Sequence, residues 1–172
     1  MNKKKYIIVA VDENNGIGVD NKIPWHFKSE FEYFKKRTLT VHDPNKKNAL
    51  IMGQLTWESL PVRPLKGRIT IVLSNKDGYE APGADVCHSL PEAIALAEND
   101  DRVEKIFFCG GASVYAQTLE YVDGLYITQI KKDYHCNKFF PEVPEYFGEV
   151  KKLGSGEEKG VKFDFMLYEK SE

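Results

Sequence analysis

Glu30 stands on an otherwise aromatic helical face. In Phe27-Lys28-Ser29-Glu30-Phe31-Glu32-Tyr33-Phe34, positions 27, 30, 31 and 34 share the i, i+3, i+4, i+7 spacing of one side of a helix. Three are phenylalanine and the fourth is a carboxylic acid, while Lys28, Ser29, Glu32, Lys35 and Lys36 fall on the side expected to face water. A carboxylate among apolar side chains is costly to desolvate unless a polar group meets it. Its proton affinity should rise, so that it can hold a proton near neutrality or answer a cationic donor. That chemistry belongs at the floor of an aromatic-walled pocket. A rim position with access to water, or pairing with a buried arginine, accounts for the same pattern, and the rest of the chain must decide.

Two glycine-bearing junctions come next. Gly110-Gly111 lies where a strand gives way to a helix, and Gly53-Gln54-Leu55-Thr56 is a second junction, with Thr56 expected as the helix cap. Free backbone N–H groups and the positive end of a helix suit a phosphate at such places. Two junctions at the carboxyl ends of strands point to one extended phosphate ligand across the sheet edge. For Gly110-Gly111 taken alone, a tight turn without a ligand is an equal reading. Gly16-Ile17-Gly18 invites a dinucleotide-fingerprint reading and fails it, because Pro24 intervenes before any helix and no third glycine is in register. It reads instead as a flexible loop whose glycines need positive φ, and such a loop could act as a lid. Arg68 could clamp a carboxylate or be a plain surface charge. Thr128 could aim its hydroxyl at a buried acid or be an ordinary strand residue. His26, His42, His88 and His135 show no metal-ligand spacing, so no metal is expected.

The scaffold for these groups reads as alternating strands and helices. Apolar runs predict strands over 6–11, 48–53, 69–73, 84–87, 105–109, 125–130 and 161–168. A weaker segment, 147–153, is expected to pair with the last strand across a turn over 154–160. Helices are expected over 27–37, 56–60, 91–98 and 113–119, the third capped by Ser89 with Pro91 in its first turn. The pattern predicts an α/β fold over 1–172, a single domain. Its central, mostly parallel twisted sheet has about eight strands and an antiparallel C-terminal strand, flanked by about four helices.

Composition narrows the partners. The 172 residues are 42% apolar and 29% charged, with a net charge of −2, which offers no nucleic-acid footprint. No apolar run reaches the roughly 20 residues of a membrane span. Cys87, Cys109 and Cys136 are odd in number and widely spaced, as suits a reducing cytoplasm.

In order and spacing, several blocks together resemble the dihydrofolate reductase family, nearly end to end from Ile7 to Glu169. They are Ile8-Val9-Ala10-Val11, Asn15-Gly16-Ile17-Gly18, Ile23-Pro24-Trp25, Glu30-Phe31 with Phe34, Ile51-Met52-Gly53, Thr56-Trp57-Glu58-Ser59, Arg63 to Arg68, Leu73-Ser74, Gly110 to Tyr115, Thr128 and Phe139-Phe140-Pro141. The resemblance implies NADPH-dependent reduction of dihydrofolate to tetrahydrofolate, serving one-carbon metabolism. Glu30 would be the buried acid, with Trp25 and Thr128 holding it and a water. Phe31, Phe34, Ile8, Val9, Ile23, Leu60, Leu65 and Cys109 would line the substrate pocket, and Arg68 would clamp the substrate's glutamate carboxylate. Ala10, Ile17 and Gly18 would meet the nicotinamide under a lid formed by 12–23. Gly53, Gln54, Leu55, Thr56, Leu73, Ser74, Asn75 and His88, with Gly110, Gly111, Ala112, Ser113, Val114 and Tyr115, would hold the rest of the cofactor. Gly110-Gly111 would be a cis pair. Dihydrofolate and antifolate-type small molecules are the implied ligands. The chain is expected to be a cytoplasmic monomer that binds neither nucleic acid nor membrane.

Three departures qualify this. Relatives commonly carry cations for the cofactor's 2′-phosphate where this chain has Gln54, Asn75 and His88; Ser74 is kept and Lys76 is one residue out of register. A phosphate without a strong cation loses charge-assisted bonds of about 1.5–3 kcal/mol each, so selectivity relaxed toward NADH is expected. Asn137 stands where an aspartate often braces the lid, and Cys109 replaces a branched apolar residue. Two rival readings are a same-fold pyrimidine reductase of riboflavin synthesis and a folate- or nucleotide-binding module without turnover.

Overall fold

The computed structural model describes residues 2–171. In chain order its elements are β1 (Lys5–Val11), β2 (Gly16–Gly18), α1 (Lys28–Leu39), β3 (Lys47–Gly53), α2 (Gln54–Ser59), β4 (Ile69–Leu73), β5 (Asp85–Cys87), α3 (Leu90–Asn99), β6 (Val103–Phe108), α4 (Ala112–Thr118), β7 (Gly124–Ile130), β8 (Lys138–Phe139), β9 (Glu149–Glu158) and β10 (Val161–Glu169). Eight strands form one sheet in the order β5-β4-β3-β6-β1-β7-β10-β9. Pairings from β5 through β7 are parallel, and β10 runs antiparallel to both β7 and β9. The central strands are continuous apolar runs because both faces of the sheet are covered. Ile7, Val9 and Val11 enter the core under α3 and α4, with Ala93, Ala97, Val114 and Leu119. Ile8 enters the opposite core with Leu50, Met52 and Trp57, against which Phe34 of α1 packs. Among the described residues no helix is long and apolar enough to cross a membrane.

The structure corrects four local expectations. Gly16–Gly18 is no free loop but a short strand paired with β8, and the positive φ angles nearby belong to Asn15, Asp20 and Asn21. Gly16 is required by space instead: a Cβ there would press on Cys136 and lie 2.9 Å from Asp12 Oδ1. Thr56 does not cap α2, because the chain turns into helix directly after β3 and Gly53 is the N-cap. Strand β9 continues through Gly154 and Gly156, so the turn shrinks to Lys159-Gly160, both at positive φ. Gly156 stays in the strand because Phe163's ring covers it, 2.5 Å from where a Cβ would sit. On α1, Tyr33 joins the buried side by stacking on Phe165 at 3.9 Å, whereas Phe31 is 52% exposed.

Candidate active site

Helix α1 lies against the sheet so that Glu30, in its first turn, points inward toward β7. Thr128 occupies the facing position on β7, paired in register with Ala10 and Phe165. Its hydroxyl lies 3.5 Å from Glu30 Oε1, long for an O–H···O hydrogen bond. Burial therefore dominates: it pushes Glu30 up to about 7, and the threonine pulls back only weakly. A carboxyl group in this state exchanges its proton near neutral pH, which is what a general acid or a polarising group needs. Trp25 is buried in the core shared with Phe27 and Phe163, and packs on Tyr134 at 5.2 Å.

The surrounding wall is apolar. Ile8 is buried on this face, and Phe34, Leu60, Leu65 and Cys109 pack around the same core. Phe31 and Ile23 stand exposed at 52% and 54%, where a bound molecule would cover them. Val9 departs from expectation: strand alternation sends its side chain to the opposite core, with Ile7 and Val11. Cys109 is held inert, since burial pushes its thiol up to about 12.

Arg68 is braced by groups whose role the sequence did not suggest. Its Nε donates to the Lys66 carbonyl and its Nη1 to Thr38 Oγ1, both at 3.0 Å. Thr38 is fully buried near the end of α1, and Asn48 Nδ2 donates to its carbonyl at 2.8 Å. Among the described residues Nη2 of Arg68 makes no hydrogen bond, which leaves an edge suited to a carboxylate. The clue to Thr38 was a polar residue four positions after Phe34 on the buried side, the same kind of signal that marks Glu30.

The two glycine junctions do come together. Gly53 N–H donates to the Gly110 carbonyl at 2.8 Å, and the Gly110–Gly111 peptide is cis. A Cβ on Gly110 would lie 3.2 Å from Thr56 Oγ1 and 3.3 Å from the Tyr115 hydroxyl. Neither Gly53 nor Gly111, the N-caps of α2 and α4, offers a side-chain acceptor. First-turn amides of Gln54, Leu55 and Thr56, and of Ala112, Ser113 and Val114, are thus left to meet an anion. Adjacent uncapped helix starts around a glycine cradle fit the diphosphate of a dinucleotide. Tyr115 itself is buried, with its hydroxyl donated to the Ile8 carbonyl at 2.9 Å. Ile17 and Leu73 pack against the core beneath α3 and α4.

Beyond this cradle, polar groups cluster without a strong cation. Ser74 Oγ donates to Gln54 Oε1 at 2.7 Å, and Gln54 Nε2 donates to Glu58 at 3.2 Å. Tyr79's hydroxyl bond, first, and Gln54 keep Glu58 below the usual carboxylate range, so it remains an anion. His88 Nδ1 lies 2.9 Å from the Ser74 carbonyl; a carbonyl only accepts, so that nitrogen carries hydrogen. Asn75 and Lys76 are exposed. Glu58's proximity was not anticipated.

The segment from Asp12 to Asp20 is tied down at two points. Asp12 is buried and accepts from the amides of Asn14, Gly16 and Tyr134 at 2.9, 2.7 and 3.0 Å. Burial opposes these bonds, yet together they hold its carboxyl below the usual range. Asp20 and Asn137 exchange hydrogen bonds, Asp20 N–H to Asn137 Oδ1 at 3.1 Å and Asn137 Nδ2 to Asp20 Oδ1 at 2.9 Å.

Comparison with known proteins gives the family and the fold. The family model described as dihydrofolate reductase matches residues 5–170. A dihydrofolate reductase of Drosophila melanogaster is 39% identical over 175 residues, covering 95% of this chain and 96% of its own. One from Rattus norvegicus is 37% identical, covering 96% of each chain. A solved Enterococcus faecalis dihydrofolate reductase, complexed with NADP(H) and RAB-propyl, superposes with a TM-score of 0.80 at 29% identity, covering 98% of this chain and 97% of the other. With the family model matched over nearly the whole chain and relatives 37–39% identical end to end, this chain belongs to the dihydrofolate reductase family.

Proposed function

We propose that this chain reduces dihydrofolate to tetrahydrofolate with NADPH, feeding one-carbon metabolism and thymidylate synthesis. One observation carries the reading: a lone carboxyl group, lifted to about 7 by burial, sits beside Thr128 on the aromatic side of the sheet. Glu30 hydrogen-bonds the pterin's amidine-like edge and favours the substrate protonated at its imine nitrogen, with the proton arriving through water. Trp25 and Thr128 hold that water and the acid in place. Phe31 and Phe34 pack on the pterin and benzoyl rings, Ile8, Ile23, Leu60, Leu65 and Cys109 complete the wall, and Arg68 clamps the glutamate tail. Bound NADPH supplies the hydride. Ala10, Ile17 and Gly18 would flank its nicotinamide, and the amides around Thr56 and Gly111 to Val114 would hold its diphosphate.

The distal end of the cofactor site supports NADPH with relaxed selectivity. The Ser74 hydroxyl and His88 Nδ1–H are already donated, to Gln54 and to the Ser74 carbonyl, Gln54 is engaged on both sides, and Glu58 adds negative charge nearby. Comparing kcat/KM for NADPH and NADH tests this; a preference for NADPH above about a thousandfold, roughly 4 kcal/mol, refutes it. The same reading makes the chain a cytoplasmic monomer, in keeping with three free thiols. The activity is tested by following NADPH oxidation with dihydrofolate. Glu30→Gln should lower turnover at neutral pH by about 10²–10⁴-fold, and near-normal turnover would remove the assigned role.

A further inference from the structure

Helix α1 begins without a cap of its own. Its N-cap residue is Phe27, whose side chain accepts no hydrogen bond. The acceptor comes from the far end of the chain. Glu158, the last residue of β9, takes the Lys28 N–H on Oε2 at 2.9 Å. Its Oε1 takes the Ser29 N–H at 2.6 Å and the Ser29 hydroxyl at 2.5 Å. Lys159, next in the hairpin turn, donates to the His26 carbonyl at 3.1 Å. Beneath these bonds Phe27 stacks on Phe163 at 5.2 Å and Tyr33 on Phe165 at 3.9 Å. The tip of the β9–β10 hairpin thus grips the turn that carries Glu30, one residue beyond Ser29.

We propose that Glu158 is a positioning residue for Glu30: it fixes the first turn of α1 and places a negative charge on the positive end of that helix. An uncapped helix start acts like about half a positive charge and favours nearby carboxylates in their ionised form. Glu158 offsets that pull on the same amides, so burial is left to set the proton affinity of Glu30. Ser29's hydroxyl and amide, the largest causes, hold Glu158 below the usual glutamate range, so it stays charged across neutral pH. The other titratable groups facing Glu30 are Tyr33 on its own helix and Tyr115 on α4, both raised chiefly by burial and therefore neutral. Arg37 faces Tyr33 rather than a carboxylate, with its guanidinium 5.2 Å from that ring. On β7 the facing group is the uncharged hydroxyl of Thr128.

The consequence for turnover rests on the proposed role of Glu30, but the first test does not. A carbon-13 NMR titration of the Glu30 carboxyl in the ligand-free protein, assigned by its loss in Glu30→Gln, reads the effect directly. Glu158→Gln keeps an acceptor and removes the charge. It should lower the Glu30 midpoint by about 0.2–0.7 pH unit, the size of a charge effect at a helix terminus. Glu158→Ala also removes the cap. Amide hydrogen exchange at Phe31, whose N–H bonds to the Phe27 carbonyl at 3.1 Å, should then quicken by about two- to thirtyfold. Glu157→Gln removes the neighbouring exposed charge and should move neither readout. A Glu30 midpoint unchanged in Glu158→Gln, or shifted equally by Glu157→Gln, overturns the proposal even if the alanine variant does not fold. Should the wild-type chain fail to turn over dihydrofolate while the Glu30 shift is seen, the proposed activity falls and the positioning role stands.

Discussion

Replacing Glu30 by glutamine should make the fold more stable above neutrality while removing activity. Burial, opposed weakly by the Thr128 hydroxyl, lifts Glu30 from 4.5 to about 7. An acid raised on folding binds more protons in the folded chain than in the unfolded one between those two values, so stability falls as pH rises through the interval. Its stabilising share is complete below about pH 4.5 and gone above about pH 7. The gap is 7 − 4.5, about 2.5 units, and at about 1.36 kcal/mol per unit the ionised form costs about 3 kcal/mol. Part of the side chain reaches water, which trims the figure to about 2–3 kcal/mol. Glutamine keeps the shape and never ionises. Its advantage over wild type should be near zero at about pH 4.5 and reach about 2–3 kcal/mol at about pH 8.5, or roughly 4–12 °C in Tm for a chain of this size. Urea unfolding of both proteins across that range supplies the curve. A difference that stays flat with pH, or a glutamine variant less stable at high pH, would show that the carboxylate is hydrated or paired, and the argument for a buried acid would fail.

Three further outcomes follow from contacts at the edges of the site. Thr38→Val removes the hydroxyl that accepts from Arg68 at 3.0 Å; KM for dihydrofolate should rise about tenfold, the size of one lost hydrogen bond, while a pterin substrate without the glutamate tail is unaffected. Gln54→Arg should raise the NADPH-to-NADH ratio of kcat/KM by about tenfold, held to the low end of a charge-assisted bond by pairing with Glu58, and adding Glu58→Gln should carry it to about a hundredfold. Asn137→Asp sets two carboxylates together where the native contact to Asp20 is 2.9 Å. Cofactor release measured by stopped flow should quicken about five- to thirtyfold, given 1–2 kcal/mol of lost bond and repulsion, and the double variant with Asp20→Asn should recover. A double variant no slower than the single one would count against the clasp.

The groups legible in the sequence are those whose signal is local. Glu30 breaks an apolar helical spacing within eight residues, and Gly53 and Gly110-Gly111 end apolar runs, so each carries its own contrast with its neighbours. The partners that hold these groups carry no such mark, because topology chooses them. Arg68 meets a threonine 30 positions away, Asp20 meets Asn137 across 117, and Ser29 meets Glu158 across 129. Each partner is a common polar residue at an unremarkable place in the chain. Val9 is hidden for a different reason: where both faces of a strand are buried, alternation loses its polar half and no longer says which side chains share the pocket. Gly16 shows the converse, a glycine whose requirement is set by Cys136 and not by its own φ. The acid at the centre is therefore readable from one helix, but its proton affinity is not. That depends on how tightly β7 and the β9–β10 hairpin close around it, and a shift of a single hydrogen bond there would change the pH at which the site can work.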